Sequence, residues 1–180
     1  AFAQNTLIPD QNFEQKLISL GLDTVIDGKV PTSNISSITS LDVSSSSIKD
    51  LTGIQDFVNL QTLKCAYNQL TALDVRQNTK LTLLSCYANQ IKNLDVRQNK
   101  LLQTLECYTN QLSSLDVTQN TALTDLYCFE NQLTSLNTSK NTKLNRLYCS
   151  DNLIGSLNLT NNPLLFFLNC TNNKIKNLDI

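Results

Sequence analysis

Six cysteines, Cys65, Cys86, Cys107, Cys128, Cys149 and Cys170, recur every 21 residues and are the most conspicuous reactive groups in the chain. Such regularity invites a disulfide, metal or nucleophile reading, and the sequence argues against each. There is no histidine, so no Cys-His or Ser-His pair is available to activate a nucleophile. Zinc ligands come in close pairs such as C-x2-4-C, not singly at long intervals. Cysteines at equivalent places in successive repeats have parallel Cβ vectors, which do not converge to the geometry of a disulfide. They read as a file of buried thiols, each a small hydrophobe. Glu106, Asp125 and Glu130 are the carboxylates that a glycosidase-like pair would use. They fall on an open surface with no evident water-excluded site, and no G-x-x-x-x-G-K-[ST] loop is present. The chain reads as non-enzymatic and without a cofactor. Asp23, Asp27 and Gly28 match positions 1, 5 and 6 of a calcium loop, but Val25 and Asn34 stand at positions 3 and 12. The expectation is a tight turn around Gly28, with Asp23 and Asp27 as a weak metal candidate.

The elements that position these groups follow from the period. The template L-x-x-L-x-C-x-x-N-Q-L-x-x-L-D-V-x-x-N-x-x starts at Leu60, Leu81, Leu102, Leu123, Leu144 and Leu165. A fixed period of this size marks a solenoid whose turns bury their faces against one another. Positions 4 and 6 are two apart, as on one face of a strand, so Leu105 and Cys107 point inward. One short strand per turn, stacked at about 4.8 Å, makes a parallel sheet. Leu112, Leu115 and Val117 supply the interior from the return half. Two asparagine files, Asn68 to Asn173 and Asn78 to Asn162, close the corners by bonding backbone groups. In the return half the file of Asp74, Asp95, Asp116 and Asp179 is interrupted by Asn137 and Asn158, which implies a short hydrogen-bond acceptor in a turn rather than a required charge.

The repeat is similar to that of the leucine-rich-repeat family, L-x-x-L-x-L-x-x-N-x-L, with Cys in place of the third Leu. Its length and its L-D-V segment resemble secreted or surface leucine-rich-repeat proteins of Bacteroidetes, in the broad internalin class. The resemblance is strong over 60–180 and looser over 38–59. It implies an α/β repeat fold, a right-handed curved solenoid with a mostly parallel sheet on the concave face, little helix and a helical N-terminal cap.

Two regions are expected: 1–37 as export remnant and cap, and 38–180 as the array, whose first coil, 38–59, is divergent and whose last is truncated. Asp10 would cap a helix running to Leu20, burying Phe13, Leu17 and Leu20 and stopping at Gly21. Ile8-Pro9-Asp10-Gln11-Asn12-Phe13-Glu14 also resembles the caps of bacterial surface leucine-rich-repeat proteins. Ala1-Phe2-Ala3-Gln4 has the form of an export cleavage site, and the absence of Met is read as processing. A secreted or cell-surface location is expected. A net charge of −1 gives no footprint for nucleic acid, and no apolar run reaches the roughly 18 residues of a membrane span. The strand near Leu168 to Cys170 is expected as an exposed edge, open to edge-to-edge association.

All five tyrosines fall at outward positions of the sheet. Tyr67, Tyr87, Tyr108, Tyr127, Phe129, Tyr148 and Phe167, with Glu106, Asp125, Glu130 and Arg146, form the expected binding face, and strand spacing is expected to gather its central aromatics into one patch. Strands favour aromatics for packing alone, but tyrosines confined to one face point to recognition. A protein ligand, from a host or a neighbouring cell, is the leading reading. A glycan-binding module and a structural spacer are the alternatives.

Overall fold

The computed structural model describes residues 4–180; the Ala1–Ala3 part of the expected export remnant lies outside them. Strand β1 (Asn5–Leu7) pairs antiparallel with β2 (Lys29–Pro31), and helix α1 (Gln11–Ser19) lies between them. Asp10 accepts from the amides of Asn12 and Phe13 at 2.9 and 3.0 Å, satisfying donors the first turn leaves open. Its second oxygen accepts from the amides of Lys49 and Asp50 at 2.8 and 3.1 Å, so one carboxylate caps the helix and ties it to the first coil. Phe13 and Leu17 are buried. Leu20 is not, contrary to expectation: it is the helix C-cap and is 45% exposed. The chain reverses at Gly21, with φ 74°, and Leu22 packs against the core instead.

The loop resembling a calcium site has a different organiser. Glu14, buried on α1, accepts from the amides of Asp27, Gly28 and Lys29 at 2.9, 2.7 and 3.1 Å. Three convergent N–H groups on one carboxylate make this turn an anion nest closed by the protein's own side chain. Asp27 pairs with Lys29 at 3.5 Å, and Asp23 accepts from the Thr24 amide. The described residues contain no cluster of three or more His, Cys, Asp or Glu suited to a metal ion.

After a short helix, α2 (Thr32–Ile35), the array begins. Strands β3 (Ser40–Asp42), β4 (Thr62–Lys64), β5 (Leu83–Ser85), β6 (Thr104–Glu106), β7 (Asp125–Tyr127) and β8 (Arg146–Tyr148) run parallel and in register, and β10 (Phe167–Asn169) completes a seven-stranded sheet. On the return side β9 (Ser156–Asn158) pairs with β11 (Asn177–Asp179), a second small parallel sheet, and Leu73 bridges Leu94. Each main strand is followed by a corner residue with left-handed φ: Ser45, Tyr67, Ala88, Thr109, Glu130, Asp151 and Asn172, all between 51° and 53°.

A single apolar core runs from Ile8 to Leu159. Cys65, Cys86, Cys107, Cys128 and Cys149 are fully buried within it, Cys170 is half-buried, and all six are free. Burial, followed by the charge of Glu106, pushes the Cys86 thiol up to about 12, and burial likewise raises Cys149 to about 12; these thiols stay protonated and unreactive at neutral pH.

The asparagines bridge turns. Asn131 donates to the carbonyls of Cys107, Cys128 and Phe129 and accepts from the Leu112 amide, and the same pattern repeats along its file. In the inner file Asn141 donates to the carbonyls of Val117 and Asn120. The side-chain oxygens of Asn78, Asn99, Asn120 and Asn141 are buried without a partner, whereas that of Asn162 accepts from the Thr138 hydroxyl at 2.9 Å. The first coil departs from the template as the sequence implies: Val43 fills the cysteine position, and a 3-10 turn at Ile54–Asp56 lengthens the return. Gly53 there has φ 106°, and a Cβ would sit 2.6 Å from the Leu7 carbonyl oxygen, so only glycine lets β1 close against this coil.

Candidate interaction face

The outward sheet face is laid out by strand register. Residues three, five and seven places into each turn stand side by side with their equivalents in the next. Within the expected face, the ring-to-ring contacts of the aromatics follow two offset columns. In the first, Tyr67 meets Tyr87 edge to face at 5.1 Å, Tyr87 stacks on Tyr108 at 4.2 Å and 9°, and Tyr108 stacks on Phe129 at 4.3 Å and 12°. In the second, Tyr127 stacks on Tyr148 at 5.0 Å and Tyr148 on Phe167 at 4.7 Å. The division has a simple cause. Tyr87, Tyr108 and Phe129 occupy the seventh place in their turns and Tyr127 and Tyr148 the fifth, so a ring stacks on its own file rather than across files. Tyr67 reaches the first column from the left-handed corner, and Phe167 joins the second from the third place. Ser150 and Thr171, small residues at the seventh place, end the first column where the second continues.

The charged groups are tied into this arrangement. Arg146 donates to Asp125 across neighbouring strands at 2.8 Å; this bond, and then the negative charge of the Asp125 carboxylate, hold the Arg146 guanidinium above its ordinary value. Glu130 accepts from the Thr109 hydroxyl, and Asp151 accepts from the Asn172 side-chain amide, both at 2.7 Å. Burial, then the neighbouring Tyr87 hydroxyl, pushes the Tyr108 phenol well up, and burial and the Asp125 charge raise Tyr127. Both phenols therefore remain neutral hydrogen-bonding groups in physiological conditions.

No protein-family model matches the chain. Internalin J of Listeria monocytogenes serotype 4b (strain F2365) is 40% identical over 75 residues, which is 42% of this chain and 8% of that protein. The solved functional domain of InlJ from Listeria monocytogenes, described as including a cysteine ladder, superposes with a TM-score of 0.66 at 32% identity, over 96% of this chain and 49% of that one. A leucine-rich-repeat protein of Leptospira interrogans gives a TM-score of 0.73 at 26% identity, over 82% of this chain and 44% of that one. The chain carries an internalin-like leucine-rich-repeat array. It spans about half of the InlJ domain and under a tenth of Internalin J itself. The file of buried cysteines is thus a feature this array has in common with a solved internalin domain.

The return side of the internalin-like array is chemically different. A shallow groove of about 390 Å3 runs past Asp74, Arg76, Asp95, Arg97 and Asp116. Each acid in it is already engaged: Arg76 and Arg97 fork onto Asp74 and Asp95, and the Thr118 amide and hydroxyl bond Asp116. The Arg97 fork and amide hold the Asp95 carboxyl down at about 2. Asn137 and Asn158 accept the same local amide bond as the aspartates do, as a structural turn requires. The role of Glu14 was not visible in the sequence, where one glutamate in an amphipathic helix looks like any solvated residue. Its only advance mark was the glycine turn that needed an acceptor.

Proposed function

We propose that this protein is a non-enzymatic binding module, secreted or held at the cell surface, that recognises a protein partner through the aromatic columns of its sheet face. The observation that carries this reading is the two-column arrangement itself. From Tyr67 to Phe167 it crosses six strands, a band about 24 Å long at strand spacing, on the scale of one partner's share of a standard protein interface. Aromatic anchors supply a large part of the energy of such interfaces. The internalin relatives support the binding role and the extracellular setting, and a plant receptor ectodomain with the same fold is solved in complex with CASPARIAN STRIP INTEGRITY FACTOR 2. Stacking favours a protein over a glycan: sugars lie on ring faces, and here most ring faces are covered by other rings.

The test is a photo-crosslinking amino acid placed at Tyr108 and Tyr148 and, separately, at Arg76 and Lys92, in the producing organism mixed with its natural surroundings. The same protein adduct should form from both sheet-face positions and from neither return-face position. An adduct confined to the return face would overturn the reading.

A further inference from the structure

Of the carboxylates on the sheet face, Glu106 alone has no partner among the described residues. Asp125 holds Arg146, Glu130 holds the Thr109 hydroxyl, and Asp151 holds the Asn172 amide. The other cation of the face, Lys64, stands in register beside Asp42, whose carboxyl is held down against its own burial by hydrogen bonds from Ser44 and then by the Lys64 charge. Glu106 is nevertheless half-buried at the end of β6. It stands at the step where the second column begins: its register neighbours are Tyr127 on one side and the small, buried Ser85 on the other, and Tyr108 follows two residues later, just past the end of β6. Its negative charge reaches both phenols, adding to the burial that raises them.

The ring of Tyr127 completes the arrangement. Tyr148 covers one of its faces, and the opposite face looks back toward the strand of Glu106, where no aromatic stacks. An uncovered ring face attracts a cation through its quadrupole. A partly desolvated carboxylate lacking a partner gains most from a charge-assisted hydrogen bond. These two groups stand in register on adjacent strands. Arginine fits the pair better than lysine, because a guanidinium can fork onto a carboxylate while its plane lies on a ring, and it sheds water more readily than an ammonium.

Resting on the protein-binding reading above, we infer that Glu106 and the open face of Tyr127 form a receptor for an arginine side chain presented by the partner. The partner surface that docks here is therefore basic where it meets the step between the columns, and apolar where it lies along the columns.

The protein provides its own reporter. It has no tryptophan and five tyrosines, all on this face, so intrinsic fluorescence reads the face that carries the site. The probes are N-acetyl-arginine amide and its neutral isostere N-acetyl-citrulline amide, titrated into the parent chain and into Glu106→Gln, whose fold is checked by its melting curve. A saturable fluorescence change is expected with arginine amide in the millimolar range, as befits a single side chain, weakened at least about tenfold by Glu106→Gln and by a few hundred millimolar salt, and absent with citrulline amide. Equal titrations of parent and Glu106→Gln, or equal responses to arginine and citrulline, would overturn the inference. The crosslinked partner separates this from the broader reading. An adduct kept at full yield in Glu106→Gln but lost in Tyr108→Ala removes the arginine receptor and leaves the aromatic face; an adduct unaffected by both removes the face.

Discussion

Asp74, Asp95 and Asp116 of the return face find their partners two residues along the same turn, whereas Asp125, Glu130 and Asp151 of the sheet face reach across to a neighbouring turn. Asp74 and Asp95 are held by Arg76 and Arg97; Asp125, Glu130 and Asp151 are held by Arg146, Thr109 and Asn172, each 21 residues away. The aromatic columns extend the same contrast, since every ring contact on the sheet face joins two turns. A side chain tied within its own turn steadies a local bend. One tied across turns couples neighbours and lays down a continuous surface. The lesson is that a repeat array separates these tasks by position in the template, and that the cross-turn half is where a partner meets residues already held in place.

Substitutions should rank by how many turns they disconnect. Asn131→Ala removes a side chain that makes four backbone hydrogen bonds, two of them to the preceding turn; at about 1 kcal/mol for each bond, it should cost about 3 to 4 kcal/mol, read as the shift of a denaturant midpoint. Tyr108→Ala breaks two stacked pairs, each contributing about 0.5 to 1.5 kcal/mol, so it should cost about 2 kcal/mol of stability while leaving a folded chain by circular dichroism. A cost near zero would mean the columns are not mutually supporting. Thr138→Val should cost about 1 kcal/mol, because it strips the buried Asn162 oxygen of its donor. The reciprocal Val117→Thr places a hydroxyl where the Asn141 oxygen lacks one and should be close to neutral; a loss as large as that of a buried unpaired hydroxyl would sink this account of the inner file.

The smallest effect is expected on the return face. Arg97→Ala should barely move the melting temperature at neutral pH, since exposed ion pairs contribute little. Its signature is the pH dependence. Asp95 is held at about 2 in the folded chain, against about 3.9 when unfolded, so the pair contributes fully above about pH 4 and its contribution disappears as pH falls toward about 2. Parent and variant should therefore converge in acid. Divergence on acidification would show that the pair is not what holds the carboxyl down.

Much of this was legible because a period announces itself. Leucines four places into the turn and cysteines six places in are inward wherever the repeat holds, and the asparagine files follow from the need to bond backbone at a tight corner. The Asp10 cap was readable for the same local reason. What escaped depended on contacts between distant residues. Glu14 joins amides 13 to 15 residues away, and nothing in the helix pattern distinguishes an acid that turns inward to an amide nest. Leu20 fitted a helical stripe, but the helix had ended. The tyrosines were visible as one face, yet whether they made one patch or two columns turned on ring against ring, which alternation along a strand does not specify. The freedom of Glu106 was equally hidden, since it is known only once every other charge on the face has found its partner.

The left-handed corner that follows each strand of the main sheet is occupied in turn by serine, tyrosine, alanine, threonine, glutamate, aspartate and asparagine. Side chains this different cannot be what bends the chain. The backbone does it, the corner amides from Ser45 to Asp151 each donating to a carbonyl of the following turn, as Tyr67 does to Tyr87 and Glu130 to Ser150. A position whose geometry is guaranteed by its neighbours is free to change its chemistry. The array therefore holds, at the rim of its sheet face, a row of sites where a lineage can exchange one residue for another and retune recognition without redesigning the fold, much as movable type is reset in a fixed frame.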